Sequence, residues 1–199
     1  MILLAALAWT STSRADGAYG RLAGDVSVQG AAGAVLGQGR AAGISASALY
    51  LVTAGPYASA ELALSDDARW AHLGNGRLRS FSTGLELRPL FLPRFLKAAE
   101  TGRAFWDLLL DSAGFRLGAR FHPGSSSRSL ELGGALDVPL GSTFSGGYVG
   151  LSITKTVPSR AMAGLQSSAE ETLFFGVALG VRGLLTTHLV DFGDVALRR

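Results

Sequence analysis

Cysteine is absent from the 199-residue sequence, which excludes a disulfide framework and any thiolate metal site. A long hydrophobic run is also missing, because the longest apolar stretch, residues 2–9, is far shorter than the ~18 residues of a membrane-spanning helix. Charged residues make up only 17% of the chain, and the net charge is +3. Such scattered, nearly balanced charge argues against a nucleic-acid-binding protein.

Apolar residues and glycine are abundant. Apolar residues make up 48% of the chain and the mean hydropathy is positive, which excludes a disordered protein. The 27 glycines are roughly twice the usual share. Each glycine inside a helix costs about 1 kcal/mol relative to alanine, whereas curved sheets use glycine at bends and bulges. The composition therefore favours a β protein.

The N-terminus resembles the end of an export signal. Met1–Ala8 is apolar, and Ser13-Arg14-Ala15 places small residues at a cleavage site before Asp16. The basic residue that normally precedes such an apolar run is missing, so a short buried helix or strand is the alternative. We interpret residues 1–15 as a signal-peptide remnant and residues 16–199 as one domain.

Apolar and polar residues alternate through most of this domain, as in strands with two different faces. Between Phe115 and His122, for example, Leu117 lies on the apolar face and Arg116 and Arg120 lie on the other. Most candidate strands have about ten residues, which is the length of a tilted strand that crosses a bilayer. The candidate strands are residues 21–29, 41–54, 57–65, 80–88, 115–122, 129–138, 147–156 and 172–183.

The strand pattern predicts an all-β fold, an antiparallel up-and-down barrel of about eight strands. Residues 184–199 form a C-terminal tail in this interpretation. In the alternative, residues 184–192 form another strand and the barrel has up to ten strands. We expect a tight turn at Ala54-Gly55-Pro56 and longer polar loops at 66–77 and 157–171. The glycine-bearing stretch from Gly30 to Gly43 is interpreted as a bend and loop.

Between the fourth and fifth strands the apolar spacing lengthens to that of a helix. The spacing predicts one amphipathic helix over about 94–112, which either lies in a membrane interface or caps the barrel. Two tryptophans are candidate interface anchors: Trp106 in this helix and Trp70 in the loop 66–77.

Charges on the inward face of the strands are balanced, with five acids and five bases. An eight-stranded barrel encloses a lumen that side chains just fill, and a buried charge needs a partner. We therefore predict an ion-paired, filled interior; a narrow polar path or a pocket near one mouth is the alternative. The residues of this network are Arg21, Asp25, Glu61, Glu86, Arg88, Arg116, Arg120, Glu131, Asp137 and Arg182.

Catalytic candidates are few. His122, Ser125 and Glu131 could meet at one rim of the barrel, and outer-membrane lipid A deacylases use such a trio. The His-x-Ser spacing of those enzymes is absent here, because Pro123 and Gly124 separate the two residues as a turn. We predict that the protein is not an enzyme and that it holds no metal or cofactor.

The chain resembles the small bacterial outer-membrane barrels, such as the OmpX-like, OmpW-like and OmpA-type proteins. The resemblance covers residues 16–183 and is one of pattern, although the stretch Glu86–Arg94 looks like a family signature. Such barrels usually end in an aromatic residue, whereas this chain ends in Arg198-Arg199, with Phe192 as a candidate substitute.

The resemblance implies a monomer in the outer membrane of a Gram-negative bacterium, with the periplasm as the alternative location. It implies lipid as the partner, no nucleic acid, and an unidentified extracellular or periplasmic partner. A structural or surface-interaction role is expected. A narrow transport or lipid-handling barrel and a soluble, lipocalin-like ligand-binding barrel are the alternatives.

Overall fold

The protein is an eight-stranded antiparallel β-barrel, as the alternating sequence pattern predicts. Each strand pairs with the next, and β8 pairs with β1 to close the wall. The computed structural model describes residues 19–21, 24–37, 39–63, 78–97, 99–123, 128–158 and 172–187. The elements are β1 Val26–Gly37, β2 Gly39–Tyr50, β3 Ala54–Ala63, β4 Leu78–Leu87, α1 Phe91–Leu96, α2 Ala104–Asp111, β5 Gly114–Phe121, β6 Arg128–Pro139, β7 Gly146–Pro158 and β8 Thr172–Leu185.

The stagger of the strands fixes the width of the barrel. A path of paired residues that leaves β1 at Val26 crosses the other seven strands and returns to β1 at Leu36, ten residues farther along. With eight strands, this stagger corresponds to a strand tilt of about 43°. Barrels of this size have interiors that side chains fill.

Closure decides the strand number. Each of the eight strands has two paired neighbours, so the wall has no free edge for a further strand at 184–192. The expected ten-strand alternative is therefore wrong. The last strand runs to Leu185, two residues into the stretch assigned to the tail, and residues 188–199 lie outside the described part of the chain.

The stretch from Gly30 to Gly43 is not the expected bend and loop. It forms most of β1 and the start of β2, which join through a short connection at residue 38. Glycine serves close pairing here: a Cβ on Gly33 would lie 2.0 Å from the backbone oxygen of Val177 in β8. The small residues that suggested a loop let β1 approach β8.

The turn between β2 and β3 lies earlier than expected. Leu51 and Val52 adopt left-handed backbone conformations with φ of 48° and 58°, and the Thr53 N–H donates to the Tyr50 carbonyl at 2.9 Å. Such turns normally carry Asn or Gly, since a left-handed conformation strains other residues. The predicted turn residues 54–56 instead open β3.

The two ends of the barrel differ. The near end carries the start of β1, the 51–53 turn, both helices, the 140–145 connection and the end of β8; the far end carries the other connections. The helical segment stands between β4 and β5, as expected. It consists of two short helices rather than one, and Gly102, with φ of 74°, lies in the break between them.

Candidate functional site: the barrel interior and its near end

Strand alternation directs the charged side chains into the barrel. In β4 and the residue after it, Glu86 and Arg88 are completely buried, while Leu85 and Leu87 are 56% and 49% exposed on the outside. Burying a charge is costly unless it is paired and hydrogen-bonded. The interior is therefore best described by its ion pairs.

Arg88 is the centre of the lumen cluster nearer the near end. Its Nη2 donates to Asp137 Oδ2 at 2.8 Å and to Gln29 Oε1 at 3.0 Å, and its Nε donates to Glu86 Oε1 at 2.8 Å. The second oxygen of Glu86 accepts from Arg116 Nε at 2.9 Å. Arg88, the residue after β4, and Arg116 on β5 thus share the Glu86 carboxylate.

Arg182 joins this cluster to the near end. Its Nη1 lies 3.7 Å from Asp137 Oδ2, and its Nε donates to the Phe144 carbonyl at 2.6 Å. The guanidinium carbon is 4.3 Å from the centroid of the Phe144 ring, within the range of a cation–π contact. The 140–145 connection is therefore held from inside the barrel.

Arg120 is the centre of the second lumen cluster, which lies toward the far end. It pairs with Glu61, and its Nε is 3.3 Å from Glu131 Oε2. Glu131 also accepts hydrogen bonds from Ser82 Oγ at 2.7 Å and from the Tyr57 hydroxyl at 3.0 Å. This cluster links β3, β4, β5 and β6 across the lumen.

The two helices close the near end as a cap. On their apolar side, Phe91 and Leu108 pack with Val52 and Phe144 in a fully buried cluster. The polar contacts join the two helices to each other and to the chain before β1. They are the pairs Arg94–Asp107, Arg94–Asp111, Arg21–Asp111 and Arg21–Glu100.

Asp107 is the most heavily hydrogen-bonded acid of the cap. Burial by itself would raise the pKa of Asp107, but the Thr101 N–H and the Arg94 guanidinium, which donate to its carboxylate, hold the pKa below its usual range. The Tyr19 hydroxyl also donates to it, at 3.2 Å. Asp107 is therefore charged at neutral pH, and it fastens α2 to the residues around it.

The ten residues of the predicted network lie in three places. Five of them, Arg88 included, form the cluster centred on Arg88, and three, Arg120 included, form the cluster centred on Arg120. The other two, Arg21 and Asp25, precede β1 and lie at the near end: Arg21 belongs to the cap, and Asp25 accepts from the Thr187 N–H at 2.6 Å. Their assignment to the lumen is wrong, because the strand pattern was extended past Val26, where the wall begins.

Several residues of the site escaped the sequence analysis. Tyr57 and Phe174 point inward although they are aromatic; the Phe174 ring centroid is 4.1 Å from the Arg120 guanidinium carbon. The cap acids Asp107 and Asp111 were read only as the polar side of a helix. Asp107 and Asp111 are four residues apart, so they lie on the same face of a helix. This spacing was a signal in the sequence that the two carboxylates could bind the same partner.

Of the two tryptophans predicted as membrane-interface anchors, only Trp106 lies among the described residues. Trp106 is half exposed on α2 and packs edge-to-face with Phe105, with ring centroids 5.2 Å apart. Trp70 lies outside the described residues. Within the described ranges, neither helix is long and apolar enough to cross a membrane.

The structure leaves the catalytic trio without support. Ser125 lies outside the described residues, and Glu131 is engaged by Arg120, Ser82 and Tyr57. Glu131 is the cross-strand partner of Gly118, four residues along the chain from His122. In the part of the chain that is described, no three His, Asp or Glu side chains are grouped as a metal site.

No known protein family and no curated protein matches this sequence. No residue role is therefore transferred from a relative. What the site can do follows from its geometry: a lumen crossed by ion pairs, and one end covered by a helical cap.

Proposed function

We propose that the protein is a small, monomeric outer-membrane β-barrel of the OmpX, OmpW and OmpA type, with a filled interior and a structural or surface-interaction role. One observation carries the proposal: the wall is apolar outside and charged inside, the reverse of a water-soluble protein. Apolar side chains exposed this extensively need an apolar surrounding, since large exposed patches are rare on soluble monomers.

The height of the apolar band supports a membrane setting. Along β8, the outward positions from Leu173 to Leu185 carry no charge, and Phe175, Val177 and Leu179 among them are half or more exposed. Twelve residue steps at a tilt of about 43° span about 29 Å. This height is comparable with the roughly 30 Å hydrocarbon core of a bilayer.

The ion pairs favour a filled barrel over a pore or a ligand-binding barrel. Arg88, Glu86 and Asp137 meet across the lumen, and the cap covers the near end. A lipocalin-like barrel would instead need an apolar interior and a polar exterior. These contacts argue against both the open pore and the soluble alternative.

The lengths of the connections support a role at the far end. β3 and β4 are joined by 14 residues there and β7 and β8 by 13, although the other two far connections have only one and six. At the near end, β2 and β3 are joined by three residues and β6 and β7 by six, and the one long connection, residues 88–113, forms the cap. Outer-membrane barrels have short periplasmic turns and longer extracellular loops. In this proposal the near end and its cap face the periplasm, and the far loops meet a partner outside.

The test is to produce the full chain behind a functional export signal in a Gram-negative host and to fractionate the cells. We expect recovery with outer membranes. We also expect the gel mobility to change on heating, because the folded barrel resists detergent until heat unfolds it. A soluble periplasmic protein of similar size is the control. Recovery of the chain with that control would overturn the proposal.

Conductance across a planar bilayer distinguishes the filled barrel from a narrow pore. We expect the wild-type protein to insert without measurable ion current, because the ion pairs around Arg88 and Arg120 occupy the lumen. Stable unitary currents from the wild-type protein would contradict the filled interior and support the transport alternative.

A further inference from the structure

The charges on the outward face of the wall are all of one sign. Among the outward positions of the described strands there is no carboxylate, and the charged residues are Arg40, Arg128 and Lys155. All three side chains are exposed. The acids of the strands, by contrast, are buried in the lumen. Every charged side chain at these described outward positions is therefore a cation.

The three cations lie at one height. Arg40 is the second residue of β2, Arg128 opens β6, and Lys155 pairs with Leu132 and with Leu173, the outermost apolar residue of β8. The strand registers and the tilt give the height of each residue along the barrel axis. The heights of the three cations differ by no more than about three residue rises, about 7 Å. They mark the far edge of the apolar band.

An aromatic neighbour shapes the rim at Arg128. Phe121 faces Arg128 across the β5–β6 ladder, and the guanidinium carbon lies 5.9 Å from the centre of its ring. Phe81 lies beside Phe121, with centroids 6.5 Å apart. Aromatic rings and long basic side chains at the edge of an apolar band are typical of the boundary between hydrocarbon and headgroups.

The arrangement around the barrel indicates what kind of ligand meets all three cations. Three strands lie between β2 and β6 in either direction around the eight-stranded ring, so Arg40 and Arg128 lie on opposite sides of the wall. A single protein partner on one side would not reach both. The headgroups of a lipid leaflet surround the whole circumference, and phosphate is their common anion.

We propose that the far rim, Arg40, Arg128 and Lys155, binds the phosphate groups of anionic lipids in the leaflet around it. This inference rests on the proposed membrane setting and deepens it, because it assigns the more anionic phosphate surface to the far end. Guanidinium and ammonium groups both bind phosphate, through hydrogen bonds as well as charge.

The experiment compares the wild-type protein with the triple variant Arg40→Gln, Arg128→Gln, Lys155→Gln in two kinds of vesicle. One kind is phosphatidylcholine alone, and the other contains a minor fraction of phosphatidic acid. The matched control is Lys97→Gln, Arg103→Gln, which removes two exposed cations from the near end. Lipid retained on the protein is measured by native mass spectrometry, and the unfolding midpoint is measured in the vesicles.

We expect the wild-type protein and the control to retain phosphatidic acid selectively and to unfold later when it is present. The triple variant should lose both effects, with retention falling roughly fivefold for each cation removed. Equal selectivity in the triple variant would overturn the inference. So would an equal stabilisation of the wild-type protein by free inorganic phosphate in phosphatidylcholine vesicles, since the rim would then bind an ion rather than a lipid.

The two proposals fail in different ways. If the wild-type chain does not insert into either vesicle, the membrane setting itself is wrong. If the chain inserts into both vesicles but shows no preference for phosphatidic acid, only the lipid-binding rim is wrong.

Discussion

The two faces of the barrel wall alternate along a single strand and have opposite chemistry. At the end of β4, Glu86 is completely buried, whereas Leu85 and Leu87 on either side of it are half exposed. Burying a leucine stabilises a protein in water by about 1.5–3 kcal/mol, and burying an unpaired carboxylate is costly. A chain that folds for water would turn this strand over, so the wall is built for an apolar exterior.

The cap at the near end has an apolar core as well as buried charges. There Phe91, Leu108 and Val52 are buried against one another, and the ion-paired Asp107 is buried beside them, while Trp106 is half exposed. The cap therefore combines an apolar core with buried ion pairs, whereas the lumen that it covers is crossed by ion pairs and hydrogen bonds.

Removing an interior charge should have the largest effect. Glu86→Ala leaves Arg88 and Arg116 without their shared carboxylate, and breaking a buried pair typically costs about 3–5 kcal/mol. Urea unfolding in lipid vesicles, followed by tryptophan fluorescence, measures this loss. The matched control Leu85→Ala changes the next residue on the outer face and should cost about 1–2 kcal/mol. Similar losses for both variants would show that the interior charges are not what stabilises the barrel.

Placing a charge on the outer face should have the next largest effect. Leu179 is 66% exposed about midway along the apolar band, and arginine at the midplane of a bilayer costs about 2–4 kcal/mol. In a water-soluble protein, Leu179→Arg would change stability by no more than about 0.5 kcal/mol. The comparison is Leu173→Arg at the far edge of the band, where the cost should be about 0–1 kcal/mol. A neutral Leu179→Arg in vesicles would mean that this face does not meet lipid.

Relieving strain in the 51–53 turn should have a smaller, stabilising effect. Leu51 has φ of 48°, a conformation that asparagine adopts at less cost than leucine. We expect Leu51→Asn to raise the free energy of unfolding by about 1 kcal/mol. Thr53→Asn, at a neighbouring position outside the left-handed region, is the control and should bring no gain. A destabilised Leu51→Asn would show that packing of the leucine outweighs the strain.

Acid should loosen the cap. The pKa of Asp107 is held below its usual range in the folded protein, so its contribution to stability is complete above the unfolded value of about 3.9. That contribution is lost as the pH falls from there toward the lower, folded pKa. Trp106 fluorescence, titrated below pH 4, reports the loosening. Asp107→Asn should remove this transition, and an identical titration in that variant would assign it to another group.

Local patterns predicted the wall well. The alternation from Phe115 to Phe121 became β5 with Arg116 and Arg120 pointing inward, because successive side chains of a strand point to opposite faces. That rule needs no knowledge of the neighbours. For the same reason, eight of the ten predicted interior charges lie in the lumen.

Local patterns were less informative where other parts of the chain decide the conformation. Gly55-Pro56 has the composition of a turn, but Leu51 and Val52 make the turn, with Val52 buried in the cap cluster. The Gly30–Gly43 stretch has the composition of a loop, but its residues 30–36 pair with β8 and its residues 39–43 begin β2. In both places, contacts with distant residues outweigh local preference.

By itself, the sequence determined most of the strands and the face on which their residues lie, because a strand's two-residue period is local. The tertiary structure alone decided which charges meet. Arg88 reaches Gln29 and Asp137, 59 and 49 residues away, only because eight registers add up to a closed wall with a ten-residue stagger. The outward cations at Arg40 and Arg128 likewise lie at one height only when the barrel has closed.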